Sequence, residues 1–134
     1  MAADPQLKER ISHLIGEHPV LLFMKGVPEA PRCGFSMRVV GVLDALGVDY
    51  GAIDVLPALQ PLREVTRELS DWQTFPQLYV NGELVGGCDI VEEMFESGEL
   101  ADLLGVEQPE GAEAAEDSRI LPGGPQQSPP MQLG

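Results

Sequence analysis

The chain has 134 residues, 43% of them hydrophobic, and a formal net charge of −14 at pH 7. That length suits a single domain with one core, and the charge excludes general binding to nucleic acid or anionic lipid, whose phosphates an acidic surface repels. Two cysteines far apart in sequence, Cys33 and Cys88, do not make a disulfide framework and fit a reducing compartment. No segment is long enough to span a bilayer. The start Met1-Ala2-Ala3-Asp4-Pro5 has no basic region and no apolar stretch of signal-peptide length. A cytoplasmic protein is the simple reading, and a matrix or stromal protein that had lost a presequence would look the same.

Asp4-Pro5 is an N-cap followed by a proline at the first helical position, and Leu7, Ile11, Leu14 and Ile15 recur behind it at helical spacing. Val20-Leu21-Leu22-Phe23-Met24 is a short apolar run suited to a strand buried on both faces. Gly26, Pro28 and Pro31 mark 25–32 as a loop. The spacing predicts a helix from about Gly34 to Leu46, with Val39, Val40, Leu43 and Leu46 inward and Gly47 as its stop. A second strand is expected over Tyr50 to Val55, then a helix over about Leu59 to Leu69. Phe75 to Gly87 reads as a hairpin, because Asn81-Gly82 suits a type I′ turn with positive φ at both central residues. Cys88-Asp89 opens a helix, Ser97-Gly98 breaks it, and Glu99 to Leu104 makes a last short turn.

The order α-β-α-β-α-β-β-α contains a β-α-β unit, hence a parallel pair with a right-handed crossover. The hairpin adds antiparallel strands. The expected result is an α/β domain with a mixed sheet and helices on both faces, spanning 1–105. Residues 106–134 are rich in Pro, Gly, Glu and Gln without apolar periodicity, so a disordered tail is expected there.

The most informative run is Lys25-Gly26-Val27-Pro28-Glu29-Ala30-Pro31-Arg32-Cys33-Gly34-Phe35-Ser36. A dithiol site would place a second cysteine three positions after the first, and Ser36 stands there instead. Cys33 lies immediately before a helix, where free N–H groups and the helix dipole favour the thiolate, with Lys25 and Arg32 expected to act in the same direction. Lys25, Arg32, Arg38, Arg63 and Arg67 are five of the eight basic residues. A basic spot on an acidic protein suggests a small anionic ligand. Gly86-Gly87 lets a ligand approach the backbone. Cys88 and Asp89 then stand at a helix N-terminus, whose N–H groups bind carboxylates, and the Asp89 side chain suits an ammonium group. The alternative is that Asp89 is an N-cap, and the two roles are compatible.

Met24-Lys25-Gly26, Cys33-Gly34-Phe35-Ser36, Trp72-Gln73-Thr74-Phe75-Pro76-Gln77-Leu78-Tyr79-Val80 and Gly86-Gly87-Cys88-Asp89, in this order and spacing, resemble the monothiol glutaredoxins of the CGFS class. The resemblance covers about residues 5–104. It departs at Gln73, where the family usually has proline; that residue is not a ligand contact in the family, so little effect is expected. It implies the thioredoxin fold, with a four-stranded mixed sheet flanked by helices on both faces. It also implies a cis bond before Pro76, leaving the N–H and C=O of Phe75 facing Cys33 and free to bind an extended peptide as an added strand would. The alternative is a proline that begins an edge strand.

The ligand the resemblance implies is glutathione. Its glycyl carboxylate would meet Lys25 and Arg63, its central peptide unit Phe75, and its γ-glutamyl end Cys88 and Asp89. Arg67, one turn beyond Arg63, is a candidate auxiliary. The glutathione thiol would lie beside Cys33.

Two activities follow from such a site. In the first, the protein binds and transfers a [2Fe–2S] cluster, which typically needs four thiolate ligands. Cys33 and a glutathione thiol supply two, and a second subunit with its own glutathione completes a cluster-bridged homodimer. The resemblance implies BolA-like proteins and apo iron–sulfur acceptor proteins as partners. In the second, the protein is a monothiol oxidoreductase acting on glutathione mixed disulfides. Ser36 excludes the two-cysteine route at this motif. Cys88 could resolve instead only with its Cα within about 7 Å of that of Cys33. The sequence leaves both activities open and favours the carrier, because thiolates partly supplied by a dissociable tripeptide make a labile site.

Overall fold

The structure, a computed structural model, describes residues 3–109. The tail expected over 106–134 falls almost wholly outside them. Asp4 caps the first helix, α1 (Pro5–Glu17), accepting the N–H of Gln6 at 3.1 Å. The apolar run forms β1 (Val20–Met24), buried at every residue. A small hairpin, β2 (Gly26–Val27) and β3 (Ala30–Pro31), leads to α2 (Gly34–Leu46). Then come β4 (Gly51–Asp54), a 3₁₀ turn (Leu56–Ala58) and α3 (Leu59–Ser70). The hairpin β5 (Gln77–Val80) and β6 (Glu83–Gly86) is followed by α4 (Cys88–Ser97) and α5 (Glu99–Leu104).

The main sheet has the order β4-β1-β5-β6. β1 pairs parallel to β4 and antiparallel to β5, and β5 pairs antiparallel to β6. This is the mixed four-stranded sheet expected. The period-2 alternation of β1 sorts the two cores. Val20, Leu22 and Met24 face one cluster with Val39 and Leu43 of α2, Val91 of α4 and Leu100 of α5. Leu21 and Phe23 face the other with Ile11 and Ile15 of α1 and Leu62 and Val65 of α3. Helices therefore cover both faces, and β1 is apolar at every position because neither face meets water.

Three local differences from the sequence reading stand out. The segment 25–32 carries the β2–β3 hairpin; its strands are two residues long, and the Gly and Pro that read as loop signals sit within it. Pro31 is tolerated because such a short ladder is all edge. Residues Glu99–Leu104 form a helix and not merely a turn. Packing against the domain also continues past residue 105: Val106 lies against the core, and Gln108 donates to the Phe95 carbonyl at 2.8 Å. The Asn81-Gly82 turn has positive φ at both residues, 53° and 85°, as the hairpin reading requires.

Candidate functional site

Cys33 is the N-cap residue of α2, with extended backbone and its carbonyl accepting from Met37 at 3.0 Å. Partial burial alone would push its thiol up. The N–H groups of Ser36 and Phe35, then the Lys25 charge and the Ser36 hydroxyl, outweigh that and hold it below the ordinary thiol value. Lys25 contributes as the sequence suggested; Arg32 is not among the groups that act on the thiol. Ser36 is fully buried, and its Oγ accepts the Lys25 N–H at 3.1 Å. The residue in the place of a second thiol thus joins the ends of the reactive segment.

Asp54, at the end of β4, roots that segment. Its Oδ1 accepts the N–H of Gly26 and that of Leu56, each at 3.0 Å. Gly26 itself has φ of +93°, and a Cβ there would lie 2.6 Å from Arg32 Cγ and 2.7 Å from the Ala30 carbonyl. Only glycine fits where the two short strands cross so closely. The sequence marks Gly26 as a turn residue but carries no signal for the Asp54 anchor, which depends on β4 lying beside β1.

A cavity of about 570 Å³ is lined by Lys25, Arg63, Thr74 and Phe75, by Cys88 and Asp89, and by neighbours that include Phe35, Trp72 and Ile90. Five of the six expected site residues therefore line one cavity. Cys33, the sixth, is not in its wall but is joined to it through Lys25 and Phe35. Arg67 lies outside the wall, and its charge acts on Glu68. The Phe75–Pro76 bond is cis, as expected. The N-cap of α4 is Gly87, with no side-chain cap bond. Asp89 stands one residue inside the helix, exposed and lining the cavity, so the plain N-cap alternative is not realised. Gly86 has φ of +145°, and a Cβ there would come within 2.7 Å of Ile90. That glycine turns the chain from β6 into α4.

Cys88 is a different kind of thiol. It is raised to about 11, first by burial and then by Glu92 and Asp89, with Arg38 opposing. Glu92 is held by Arg38 at 3.2 Å. Ligand atoms of Cys88, Asp89 and Glu92 lie within 4.8 Å of one another. With the thiol protonated and Glu92 paired to Arg38, this trio is a poor cation site. The same protonation makes Cys88 a poor resolving nucleophile.

The architecture and the activated thiol beside a cavity lined by Lys25 and Arg63 define a thioredoxin-fold protein with one cysteine at its reactive motif. The Glutaredoxin family model matches residues 20–85. A rice protein, monothiol glutaredoxin-S11, is 48% identical over 125 residues, covering 90% of this chain and 25% of its own length. Monothiol glutaredoxin-5, mitochondrial, of Saccharomyces cerevisiae is 49% identical over 107 residues, covering 78% of this chain and 71% of its own. The crystal structure of a buckwheat glutaredoxin–glutathione complex is similar in fold, with a TM-score of 0.67, 24% identity, and coverage of 75% of this chain and 88% of that one. The chain belongs to the monothiol glutaredoxins. It spans only about a quarter of the rice relative, and 41% or less of several other longer ones.

Proposed function

We propose that this protein binds glutathione in the cavity and uses Cys33 together with the glutathione thiol to carry a [2Fe–2S] cluster, as cargo, to acceptor proteins. The observation that carries the reading is the single thiol held below its ordinary value, with a buried Ser36 where a second thiol would be. A site with one thiolate of its own must draw its other ligands from elsewhere, since a cluster takes four. The cavity is suited to supply one. Lys25 and Arg63 would take the glycyl carboxylate and the Phe75 backbone the central peptide unit. The N-terminus of α4 at Cys88, with the Asp89 carboxylate, would take the γ-glutamyl carboxylate and amine. A second subunit with its own glutathione completes the set, so the loaded form is a homodimer that separates when the cluster leaves. BolA-like proteins and apo iron–sulfur proteins are the proposed partners. No helix among the described residues is long and apolar enough to cross a membrane. A cytoplasmic location is proposed, with an organellar matrix as the alternative suggested by the name of the yeast relative.

Anaerobic reconstitution with iron, sulfide and glutathione tests this. Visible absorption and a doubled mass by gel filtration are expected, both lost in Cys33→Ser. A colourless monomer sinks the carrier reading. The activated, partly exposed Cys33 also favours a second reading, exchange on glutathione mixed disulfides. There the Cys33 thiolate attacks the glutathione sulfur and the client leaves as a thiolate. A second glutathione thiolate then attacks that same sulfur, releasing the Cys33 thiolate and glutathione disulfide. Fast turnover in such an assay, with no cluster bound, would put this reading first.

A further inference from the structure

Gln77 is fully buried at the start of β5, immediately after Pro76. Its amide is almost completely used. Nε2 donates to the Trp72 carbonyl at 3.1 Å and to the Thr74 carbonyl at 3.0 Å. Oε1 accepts the Tyr79 hydroxyl at 2.8 Å, and that hydroxyl lies 2.7 Å from Ser70 Oγ, at the end of α3. Gln77 and Tyr79 share one face of the strand. The segment they hold, 71–76, has no regular secondary structure, yet Trp72, Thr74, Phe75 and Pro76 all line the cavity.

An apolar residue would fill this core position at no desolvation cost, whereas a buried amide is tolerated only when its polar atoms are paired. What the amide adds is therefore geometry. We propose that Gln77 is a positioning residue that fixes the Trp72–Pro76 wall of the cavity and ties it, through Tyr79 and Ser70, to the helix that carries Arg63. This rests on the reading of the cavity as the glutathione site. Gln77 sets the shape in which the two sides of the cavity meet the tripeptide, without lining the cavity itself.

The test uses Gln77→Leu, which keeps the volume and removes the pairing. Trp72 is the only tryptophan of the chain, so its fluorescence reports the wall directly. Two quantities are read at a temperature where circular dichroism shows each protein folded: the glutathione dissociation constant by calorimetry, and acrylamide quenching of Trp72 without ligand. A dissociation constant raised about five- to tenfold is expected, the scale of one net hydrogen bond, together with stronger quenching. A lower melting temperature with both quantities unchanged would make Gln77 merely structural and overturn the proposal. If the unsubstituted protein does not bind glutathione, the cavity reading fails, but quenching still decides whether Gln77 holds the wall. If Gln77→Leu does not fold, Tyr79→Phe takes its place. Removing that hydroxyl should shift both readouts about two- to threefold, a fraction of one net hydrogen bond, and no shift in either overturns the proposal.

Discussion

The two thiols should differ in reactivity by a margin that can be worked out. Cys88 is pushed up to about 11, so at pH 7 its thiolate is about one part in ten thousand. Cys33 lies below the ordinary value of 9.0, so its thiolate exceeds about one part in a hundred. Ionisation alone therefore favours Cys33 by at least about a hundredfold. Nucleophilicity rises with basicity, with a Brønsted slope of about 0.4–0.5, which returns somewhat less than tenfold to Cys88. The net preference is at least about tenfold, and the burial of Cys88, only 7% exposed, widens it further. Iodoacetamide at pH 7, followed by peptide mass spectrometry, should give one adduct at Cys33. Modification of Cys88 should then climb about tenfold per pH unit until near 11. Glu92→Gln removes a charge and a hydrogen bond that favour the protonated thiol, so Cys88 should react severalfold faster at pH 8 in that variant. Modification of Cys88 within about threefold of Cys33 at pH 7 would refute the reasoning, because ionisation and access would then both have been misjudged.

Lys25→Ala and Asp89→Asn should each weaken glutathione binding by about three- to tenfold in calorimetry, the range for losing one charged contact partly open to water; unchanged affinity removes that residue from the site. Gly26→Ala forces a side chain into a φ of +93° and against Arg32 and the Ala30 carbonyl. A loss of about 1–3 kcal/mol is expected in denaturant unfolding, and a midpoint equal to wild type contradicts it. Cys88 also makes stability depend on pH. Its folded pKa is raised, so its contribution is complete below the ordinary value of 9.0 and is lost as pH rises through about 11. Wild type should lose about 1–2 kcal/mol more than Cys88→Ala across that window, and parallel curves would refute the assignment.

Most of the fold was legible because local and tertiary signals agree. Val20–Met24 is apolar at every position because it is the central parallel strand between two helical layers, and the caps at Asp4, Gly47 and Asn81-Gly82 lie where the chain turns. What was not legible depends on long-range placement. Asp54 holds Gly26 across 28 positions, and Gln77 has an amide whose partners are carbonyls of a loop with no periodic pattern. The β2–β3 hairpin is too short to leave a period. Motif spacing is what brings five of the six expected site residues to one cavity. Their individual roles were less legible: Arg32 and Arg67 look like Lys25 and Arg63 in a sequence, and only the fold separates those that line the cavity from those that do not.

Ser36 shows how the site depends on what replaced the second thiol. A buried hydroxyl has one proton to give and lone pairs to receive. Its oxygen receives the Lys25 N–H, and its proton goes to the Cys33 thiolate. A thiol in the same place is a weak donor and a weak acceptor. It would leave the Lys25 N–H, which is partly shielded from water, poorly paired, and an unmet donor there is costly. It would also compete with Cys33 for the negative charge that the α2 N-terminus stabilises. Serine therefore does more than delete a redox partner. It links the Lys25 main chain, at one end of the cavity, to the nucleophile beside it and leaves Cys33 the only thiolate in reach of those N–H groups. A thiolate so held, with serine in place of a second thiol at this motif, stays available for a ligand that comes and goes.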